Sequence, residues 1–523
     1  MSGTLSSRIG KVLLAGLLAL PALPGSAMAQ DSTVAAVAAD TAVQLRARGP
    51  LASPPLASDH WAVQAAARAE ALGLVARYQP AQGSVPRMAV AAALREAAER
   101  APLENPRLAA LTRAWYERFV EEFPEADDTP GARGGPRLLG SSAGAGFRGR
   151  YGFAAPGRGI DVDVRRTGAT PRPDISEGLA TASLAASLVP GVQLFAVPEV
   201  GTEGVRLARA DLIAGWGPAE LSVGRGQVVY GNEVGGSVVY SGLGTLDRIE
   251  FQTTRPFTLP SFLRYLGPTT FQTFATRLHE ERHPGDPYLW GARGTIRPHP
   301  RFTLGIQRGS MFGGDSAMGA TNLENIARML VGGIKGYGFE NQVVSVDFRL
   351  RAPTEELLPL TLYFEWGADD ASGAWHREPA LIGGIAVPAV PGLPQLSVGV
   401  EGTSFPHRSF KNPPWYRHAT FRGDWASGDL PLGHPMGGEG GQLLVFARSE
   451  LDDARLRLDG RLFTRDRGRD GLYVPGRLGR SSGADLRAAW RVAPRSELQL
   501  SVYHEGGSGW SEQHLLAMAS VLF

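Results

Sequence analysis

The 523-residue chain contains no cysteine. Disulfide bonds are therefore excluded, and with them the small cross-linked domains that many exported proteins use. Lysine is almost absent as well, because Lys11, Lys335 and Lys411 are the only three, and nearly all basic residues are arginines. The formal net charge is only +2, so the composition gives no indication of a nucleic-acid partner.

The sequence also lacks an uninterrupted apolar stretch of about 20 residues, the length that a helix needs to cross a bilayer. The apolar run from Val12 to Leu20 is too short, follows Arg8 and Lys11, and precedes the small-x-small motif Ala27-Met28-Ala29. This pattern predicts a secretory signal peptide over residues 1–29. The mature chain is therefore expected to be exported, and any membrane crossing to be made by strands.

The last hairpin of the chain has the alternating pattern of β-strands. Apolar residues occupy every second position over 486–492 and 498–502, and polar residues such as Arg487 fill the positions between them. This period of two predicts strands with one apolar and one polar face, and the final strand continues the apolar face. Its predicted lipid-facing residues are Leu515, Ala517, Ala519, Val521 and the terminal Phe523. A terminal phenylalanine on such a strand resembles the signal read by the outer-membrane barrel-assembly machinery, which is thus an expected partner beside membrane lipid.

Composition divides the chain into five segments. After the signal peptide, residues 30–57 are rich in Ala, Pro and Ser and are predicted to be a linker. Apolar positions at helical spacing over 58–126 predict a bundle of about three helices on the periplasmic side. Residues 127–146 form a second predicted linker, and 147–523 contain only strands and turns, some short and some long. The prediction is a mainly β protein: a transmembrane antiparallel β-barrel of roughly 16 to 20 strands.

Three short motifs match known catalytic or cofactor-binding patterns but lie in a structural context that does not fit them. His279 to His283 reads H-E-x-x-H, but the preceding run alternates like a strand and Pro284 follows at once, so the pattern favours a polar loop over a zinc site. Gly140 to Gly144 matches a nucleophile elbow, and Gly144 to Gly149 matches a dinucleotide fingerprint. Neither lies between a strand and a helix, which both motifs require. The sequence therefore indicates no catalytic residue, no metal and no cofactor.

Two longer stretches carry more information. The first runs through Leu221-Ser222-Val223-Gly224-Arg225, Tyr230-Gly231 and Gly235 to Ser241, and the second through Trp415 to His418 and Leu432 to Gly438. Together with the helical segment and the terminal phenylalanine, they resemble the capsule-assembly Wzi family of outer-membrane proteins. The resemblance implies an 18-stranded barrel with a periplasmic helical bundle. It also implies a role as an attachment or assembly factor for capsular polysaccharide.

The predicted connection from His407 to Gly441 supplies the candidate binding residues. It is long and rich in Trp, Tyr, His and Arg, which suits sugars because aromatic faces stack on C–H groups and guanidinium groups bind acidic sugars. Either these side chains contact polysaccharide or they shape the loops that do; the alternative is an interfacial aromatic girdle and loop packing. The candidates are Trp415, Tyr416, Arg417, His418, Trp425 and His434.

Three function classes remain open from the sequence. The favoured one is a non-enzymatic protein of the cell outer membrane that binds capsular or other surface polysaccharide and helps to attach or assemble it. The second is a porin or transporter for small solutes, and the third an outer-membrane hydrolase, for which no nucleophile and base have convincing spacing. An open lumen would favour the porin, whereas a plugged lumen would favour the polysaccharide binder.

Overall fold

The chain forms a closed β-barrel with a helical domain at one end. The structure, a computed structural model, describes residues 52–76, 78–79, 84–127, 136–153, 175–202, 204–231, 234–280, 282–315, 321–330, 339–354, 357–369, 378–407, 414–427, 430–472 and 477–523. The predicted signal peptide, most of the first predicted linker and part of the second lie outside these residues. Within the described ranges, no helix is long and apolar enough to cross a membrane.

Eighteen antiparallel strands in the described residues form the barrel wall, as the sequence predicted. Consecutive strands are neighbours throughout, and the barrel closes where the last strand pairs with the first, Ala519 lying opposite Ala145. In chain order they are β1 (Arg137–Phe153), β2 (Ile175–Val189), β3 (Val192–Gly201), β4 (Gly204–Trp216), β5 (Ala219–Gly226), β6 (Leu246–Thr253), β7 (Pro268–Arg277), β8 (Tyr288–His299), β9 (Phe302–Phe312), β10 (Glu340–Arg351), β11 (Thr361–Asp369), β12 (Ala380–Val387), β13 (Leu396–Phe405), β14 (Gly440–Leu451), β15 (Leu456–Arg467), β16 (Gly479–Ala493), β17 (Ser496–Gly507) and β18 (Trp510–Leu522).

The wall has an apolar outer face and a polar inner face, because successive side chains of a strand point to opposite sides. In the last hairpin, Leu498 and Leu500 project outward and lie opposite Ala519 and Ala517. Inward positions carry charge, as in Arg487, which pairs with Asp485 and with Asp59 of the N-terminal region. The predicted assignment of the two faces is confirmed by this register.

The two ends of the barrel differ in their connections. The turns at 190–191, 217–218, 300–301 and 494–495 all lie at one end, called the short-turn end. The connections at 227–245, 313–339 and 406–439 lie at the opposite, long-loop end. In a closed antiparallel barrel successive connections lie at opposite ends, because each one reverses the direction of the chain; the long-loop end therefore also has the short turn at 508–509.

The helical domain consists of four helices in the described residues. They are α1 (Trp61–Ala71), α2 (Arg87–Glu104), α3 (Ala109–Glu122) and the short α4 (Pro124–Asp127). Their core contains Trp61, Leu94, Trp115 and Phe119, and barrel residues such as Ala454 join it. Helices are thus present in the segment where the sequence predicts them, and they pack against the short-turn end of the barrel.

Two predicted linker boundaries are wrong. Strand β1 begins at Arg137, so residues 137–146 belong to the barrel wall, and Pro55–Ala57 pairs with Ser84–Pro86 as a two-stranded ribbon. The glycine-rich composition suggested a linker, but here small residues allow close strand pairing. A Cβ at Gly146 would lie 2.0 Å from the carbonyl oxygen of Ala517. Glycine at this position is therefore a requirement of the barrel seam rather than a sign of chain freedom.

Candidate functional site

Two connections at the long-loop end fold into the barrel lumen and pack on each other. They join β5 to β6 and β13 to β14, and their described residues, 227–231, 234–245, 414–427 and 430–439, are called the plug. The plug also contains a small ribbon in which Ala426–Ser427 pairs with Leu430–Pro431. Its largest fully buried side chains are Tyr230, Tyr240, Trp415, Tyr416, Phe421 and Trp425. They form one hydrophobic cluster with inward-facing wall residues, including Phe274, Leu289 and Met311, so this end of the lumen is occupied by a packed core.

The hydroxyl group of Tyr416 joins the two connections. It donates to the carbonyl oxygen of Val238 at 2.6 Å and accepts from the backbone N–H of His434 at 2.9 Å. The backbone N–H of Tyr416 in turn donates to Asp369 on β11 at 2.7 Å. Burial raises the pKa of Tyr416 well above its ordinary value. The hydroxyl therefore keeps its proton and serves as a fixed donor.

Trp425 makes a second link between the connections. Its indole N–H donates to the carbonyl oxygen of Val239 at 3.0 Å, and its ring packs on Tyr240 with centroids 5.7 Å apart. The backbone of Ser241 donates to Leu432 at 2.8 Å. The two stretches that stand out in the sequence thus meet inside the barrel, although about 180 residues separate Tyr416 from Val238 in the chain.

Two buried carboxylates fix the plug to the wall. Glu401 on β13 accepts the backbone N–H groups of Val234 and Gly235 at 2.7 and 2.8 Å. Glu365 on β11 accepts the hydroxyl of Ser237 at 3.0 Å and the backbone N–H of Val238. Charge-assisted bonds of this kind are stronger than neutral ones. Sequence reasoning missed both residues, because a carboxylate at an inward position is ordinary for a polar lumen and only the contact distinguishes it.

Glycines make the close approach of the two connections possible. A Cβ at Gly433 would lie 2.3 Å from the hydroxyl oxygen of Tyr416, which leaves no room for any other residue. Gly437 and Gly438 adopt φ angles of 77° and 95°, so they supply turn conformations that other residues rarely adopt. Tyr416 itself has a φ of 66°, an uncommon value for a bulky residue that the surrounding contacts maintain.

The predicted site residues are not at the surface. Trp415, Tyr416, Trp425 and His434 are at most 1% exposed, so the expectation that they reach outward for direct sugar contact is corrected. Of the two roles that the sequence left open, shaping the loops fits their burial, because aromatic surface is more stable inside the plug than in water. The ring of His434 also accepts the backbone N–H of Met436 at 3.1 Å.

Arg417 and His418 are half-buried and also make contacts within the loops. The guanidinium group of Arg417 donates to the carbonyl oxygen of Gly471 at 2.5 Å. The Nδ1 atom of His418 accepts the backbone N–H groups of Thr420 and Phe421 at 3.1 and 3.2 Å. Burial lowers the pKa of His418, which keeps the ring neutral and able to accept. All six predicted residues therefore lie together in the plug region, and Arg417 and His418 both make hydrogen bonds within the loops.

Basic side chains reach solvent where the outer edge of the plug, at Arg422, meets His283 of the connection between β7 and β8. Arg422 and His283 are exposed, and the backbone N–H of Arg422 donates to the carbonyl oxygen of His283 at 2.7 Å. Arg282 holds this edge to the plug by donating to the carbonyl oxygens of Asp424 and Ala426 at 2.7 and 2.9 Å. The described part of His279 to His283 is not helical, as predicted from the flanking residues.

Comparisons with known proteins agree with this architecture. A family model described as capsule assembly protein Wzi matches residues 126–512. The solved structure of Wzi from Escherichia coli, an outer-membrane protein involved in group 1 capsule assembly and a carbohydrate-binding β-barrel, has a TM-score of 0.68 at 16% identity and covers 90% of this chain and 99% of its own. OpdL from Pseudomonas aeruginosa has a TM-score of 0.42 at 12% identity, covering 73% and 98%. A search of curated proteins finds no match.

Proposed function

The chain belongs to the capsule-assembly Wzi family, and from this premise we propose that it binds capsular or other surface polysaccharide at the cell surface and helps to attach or assemble it there. The role needs binding rather than bond cleavage. The Nδ1 atoms of His418 and His434 accept backbone N–H groups within the plug, which gives these two rings a structural role. E. coli Wzi is described as a carbohydrate-binding barrel, and this supports the same ligand class here.

The packed plug is the observation that distinguishes between the functions that the sequence left open. A diffusion channel needs a continuous aqueous path, whereas here buried aromatic residues fill the lumen at the long-loop end. The helical domain covers the other end, where it forms a second core together with barrel residues. Both ends are thus occupied, which favours a surface-binding protein over a porin or transporter.

The proposed placement follows from the polarity of the wall. The apolar outer face suits the hydrocarbon of the outer membrane, with the long-loop end at the cell surface and the helical domain in the periplasm. Phe523 is exposed on the outer face, and its backbone N–H pairs with Ser141 of β1 at 2.8 Å. The end of β18 therefore remains the proposed recognition element for the barrel-assembly machinery.

The proposed sugar contacts lie on the outer edge of the plug rather than in its core. Arg422 and His283 are basic residues that are exposed and whose backbones are adjacent. A guanidinium group can bind acidic sugars through paired hydrogen bonds. The buried aromatic residues hold this edge in position. Polysaccharide binding should therefore depend on the edge directly and on Trp425 and His434 indirectly.

The test measures cell-associated against shed polysaccharide in a strain that depends on this protein. We expect the double variant Arg422→Ala/His283→Ala to shed more polymer while its barrel retains normal heat-modifiable mobility. Arg480→Ala is the matched control, because its side chain is 92% exposed at the same end of the barrel but lies on β16. Unchanged retention in the double variant would remove this edge from the binding site, and binding of purified protein to polysaccharide would then test the ligand class itself.

A further inference from the structure

Helix α5 (Leu323–Leu330) lies on the outside of the barrel wall. It belongs to the connection between β9 and β10 at the long-loop end. Met329 is fully buried and packs, together with Ile326, against Trp290 and Phe312 of the wall. Both aromatic residues occupy outward positions of their strands. The helix therefore covers the outer face of the barrel rather than its mouth.

The helix has a defined start and a polar side. Asn322 precedes it, and its side-chain oxygen accepts the backbone N–H of Asn325 at 2.8 Å, as an N-cap does. Glu324 and Arg328 form an ion pair one turn apart. These side chains, with Asn325, occupy one side of the helix.

The other side is a continuous apolar arc. At about 3.6 residues per turn, Met329, Ile326, Leu330, Leu323 and Ala327 follow one another around the axis. Only the first part of this arc contacts the barrel. Leu323 is 82% exposed and Leu330 is 44% exposed, and Ala327 is exposed beside them. An apolar arc that is only half covered indicates a second apolar environment next to the wall.

The exposed arc lies beside the outer face of the wall, where Arg308 of β9 donates to the carbonyl oxygen of Leu330 at 3.4 Å. Ile306, an outward residue of β9, and Tyr288, an aromatic residue at the end of β8, are both exposed on this outer face. Aromatic residues at strand ends are typical of the membrane interface. An amphipathic helix with one apolar side is stable when it lies in that interface.

We propose that α5 is an interfacial membrane helix, whose exposed apolar arc contacts the acyl chains of the leaflet at the long-loop end. Its polar side, with Glu324 and Arg328, faces the aqueous phase. The helix thus lies where the barrel wall meets the surface of the leaflet. This inference rests on the proposed outer-membrane location and is independent of polysaccharide binding.

The test uses the absence of cysteine in the chain, which permits single labels without background substitutions. Leu323→Cys and Leu330→Cys are labelled with a nitroxide in the full-length protein reconstituted in lipid vesicles. Accessibility to oxygen, which concentrates in hydrocarbon, is compared with accessibility to a water-soluble nickel chelate. Arg328→Cys serves as the aqueous control and Leu462→Cys, an exposed outward residue of β15, as the lipid control.

The expected result is a high ratio of oxygen to nickel accessibility at positions 323 and 330, close to that at 462 and above that at 328. Ratios equal to that at 328 would place the helix in water and overturn the inference. Protection from both reagents would mean that protein, such as a second copy of this chain, covers the arc, and this would overturn it as well. Normal heat-modifiable mobility of each labelled variant ensures that the barrel is assembled.

Discussion

At the scale of single residues, the direction in which a side chain leaves the wall decides what it contacts. Neighbours in one strand meet opposite environments, lipid outside and charged or packed groups inside. Leu498 and Gln499 show this, since one projects into the apolar belt and the other donates to Glu497 inside the barrel at 2.7 Å. A substitution is therefore tolerated or not according to its side of the wall.

Ala517→Arg tests this dependence. Ala517 lies opposite Leu500 on the lipid-facing side of β18, closer to the middle of the strand than to its end, and a lipid-facing arginine near the bilayer midplane costs about 2 to 4 kcal/mol. We expect reduced membrane yield. Gln499→Arg places the same charge inside the barrel and should insert normally. Equal yields of the two variants, measured by heat-modifiable mobility in isolated membranes, would contradict the assignment of faces.

Trp425→Ala tests the plug. Removing a fully buried tryptophan costs about 3 to 5 kcal/mol, and here it also deprives the carbonyl oxygen of Val239 of its donor. Because the wall hydrogen bonds are untouched, the loss should appear as faster hydrogen exchange of the backbone N–H groups of Tyr230 and Ser241, which bond Tyr240 and Leu432. Arg422→Ala, on the exposed edge of the same connection, should leave exchange at these groups unchanged.

At the scale of elements, buried ion pairs join the helical domain to the barrel. Arg68 of α1 pairs with Glu450 of β14 and donates to the carbonyl oxygen of Pro388 at 2.6 Å. The indole N–H of Trp115 on α3 donates to the other oxygen of Glu450 at 3.0 Å. The partners come from distant parts of the chain, so the domain is positioned by contacts that form only when α1, α3 and the strands around β14 have come together.

Glu450→Ala should weaken this docking strongly. Removing one partner of a buried pair leaves the charge of Arg68 without a counter-ion and the indole N–H of Trp115 without its acceptor, at a cost of roughly 3 to 5 kcal/mol. We expect earlier thermal loss of the helical signal, while the barrel keeps its heat-modifiable mobility. Arg100→Ala is the control, because its pairs with Glu96 and Glu104 lie on the surface of α2 and contribute only about 0.3 to 0.5 kcal/mol each. Equal losses would show that Glu450 does not hold the domain.

His60 makes the same domain sensitive to acid. Burial, and then repulsion by Arg457 and Arg118, lowers the pKa of His60 well below its ordinary value, and its Nδ1 atom caps α1 by accepting the backbone N–H of Ala62. The unfolded chain takes up this proton near pH 6.5, whereas the folded chain does not. Stability is therefore complete above that pH and falls by at most about 1.4 kcal/mol per pH unit below it.

The replacement His60→Asn separates this titration from the cap. Asparagine keeps an N-cap acceptor but carries no charge at any of these pH values. We expect the unfolding temperature of the helical domain to depend less on pH between 7.5 and 5.5 in this variant than in the wild type. Identical pH profiles would assign the acid sensitivity to other groups.

The elements also show what the sequence could and could not predict. Strict alternation predicted the faces of β16 to β18, and helical spacing predicted the bundle, because both patterns are local. The start of β1 was missed, since Gly144 and Gly146 signal a linker locally and a tight seam only when β18 lies beside them. Burial of Trp425 was missed for the same reason: its partner Val239 comes from a distant connection, and a single sequence contains no record of that contact.

At the scale of the whole molecule, two separate parts of the chain occupy the two ends of the barrel. The plug consists of wall connections folded inward, whereas the helical domain is a separate N-terminal segment packed at the short-turn end. The two clusters share no residue. Each should therefore resist the passage of ions without the other, and the plug should do so even when docking of the helical domain is weakened.

Conductance in planar bilayers tests this arrangement. The intact protein should show little conductance, and Glu450→Ala should change it little, because the plug still fills the lumen. Replacing residues 414–438 by a short Gly/Ser linker should also leave conductance low while the helical domain covers the other end. Combining this replacement with Glu450→Ala should raise conductance, since an ion path needs both ends open. Normal heat-modifiable mobility is the control that each barrel has assembled. Large, steady conductance from the intact protein would contradict an occluded lumen and would favour the porin over the polysaccharide binder.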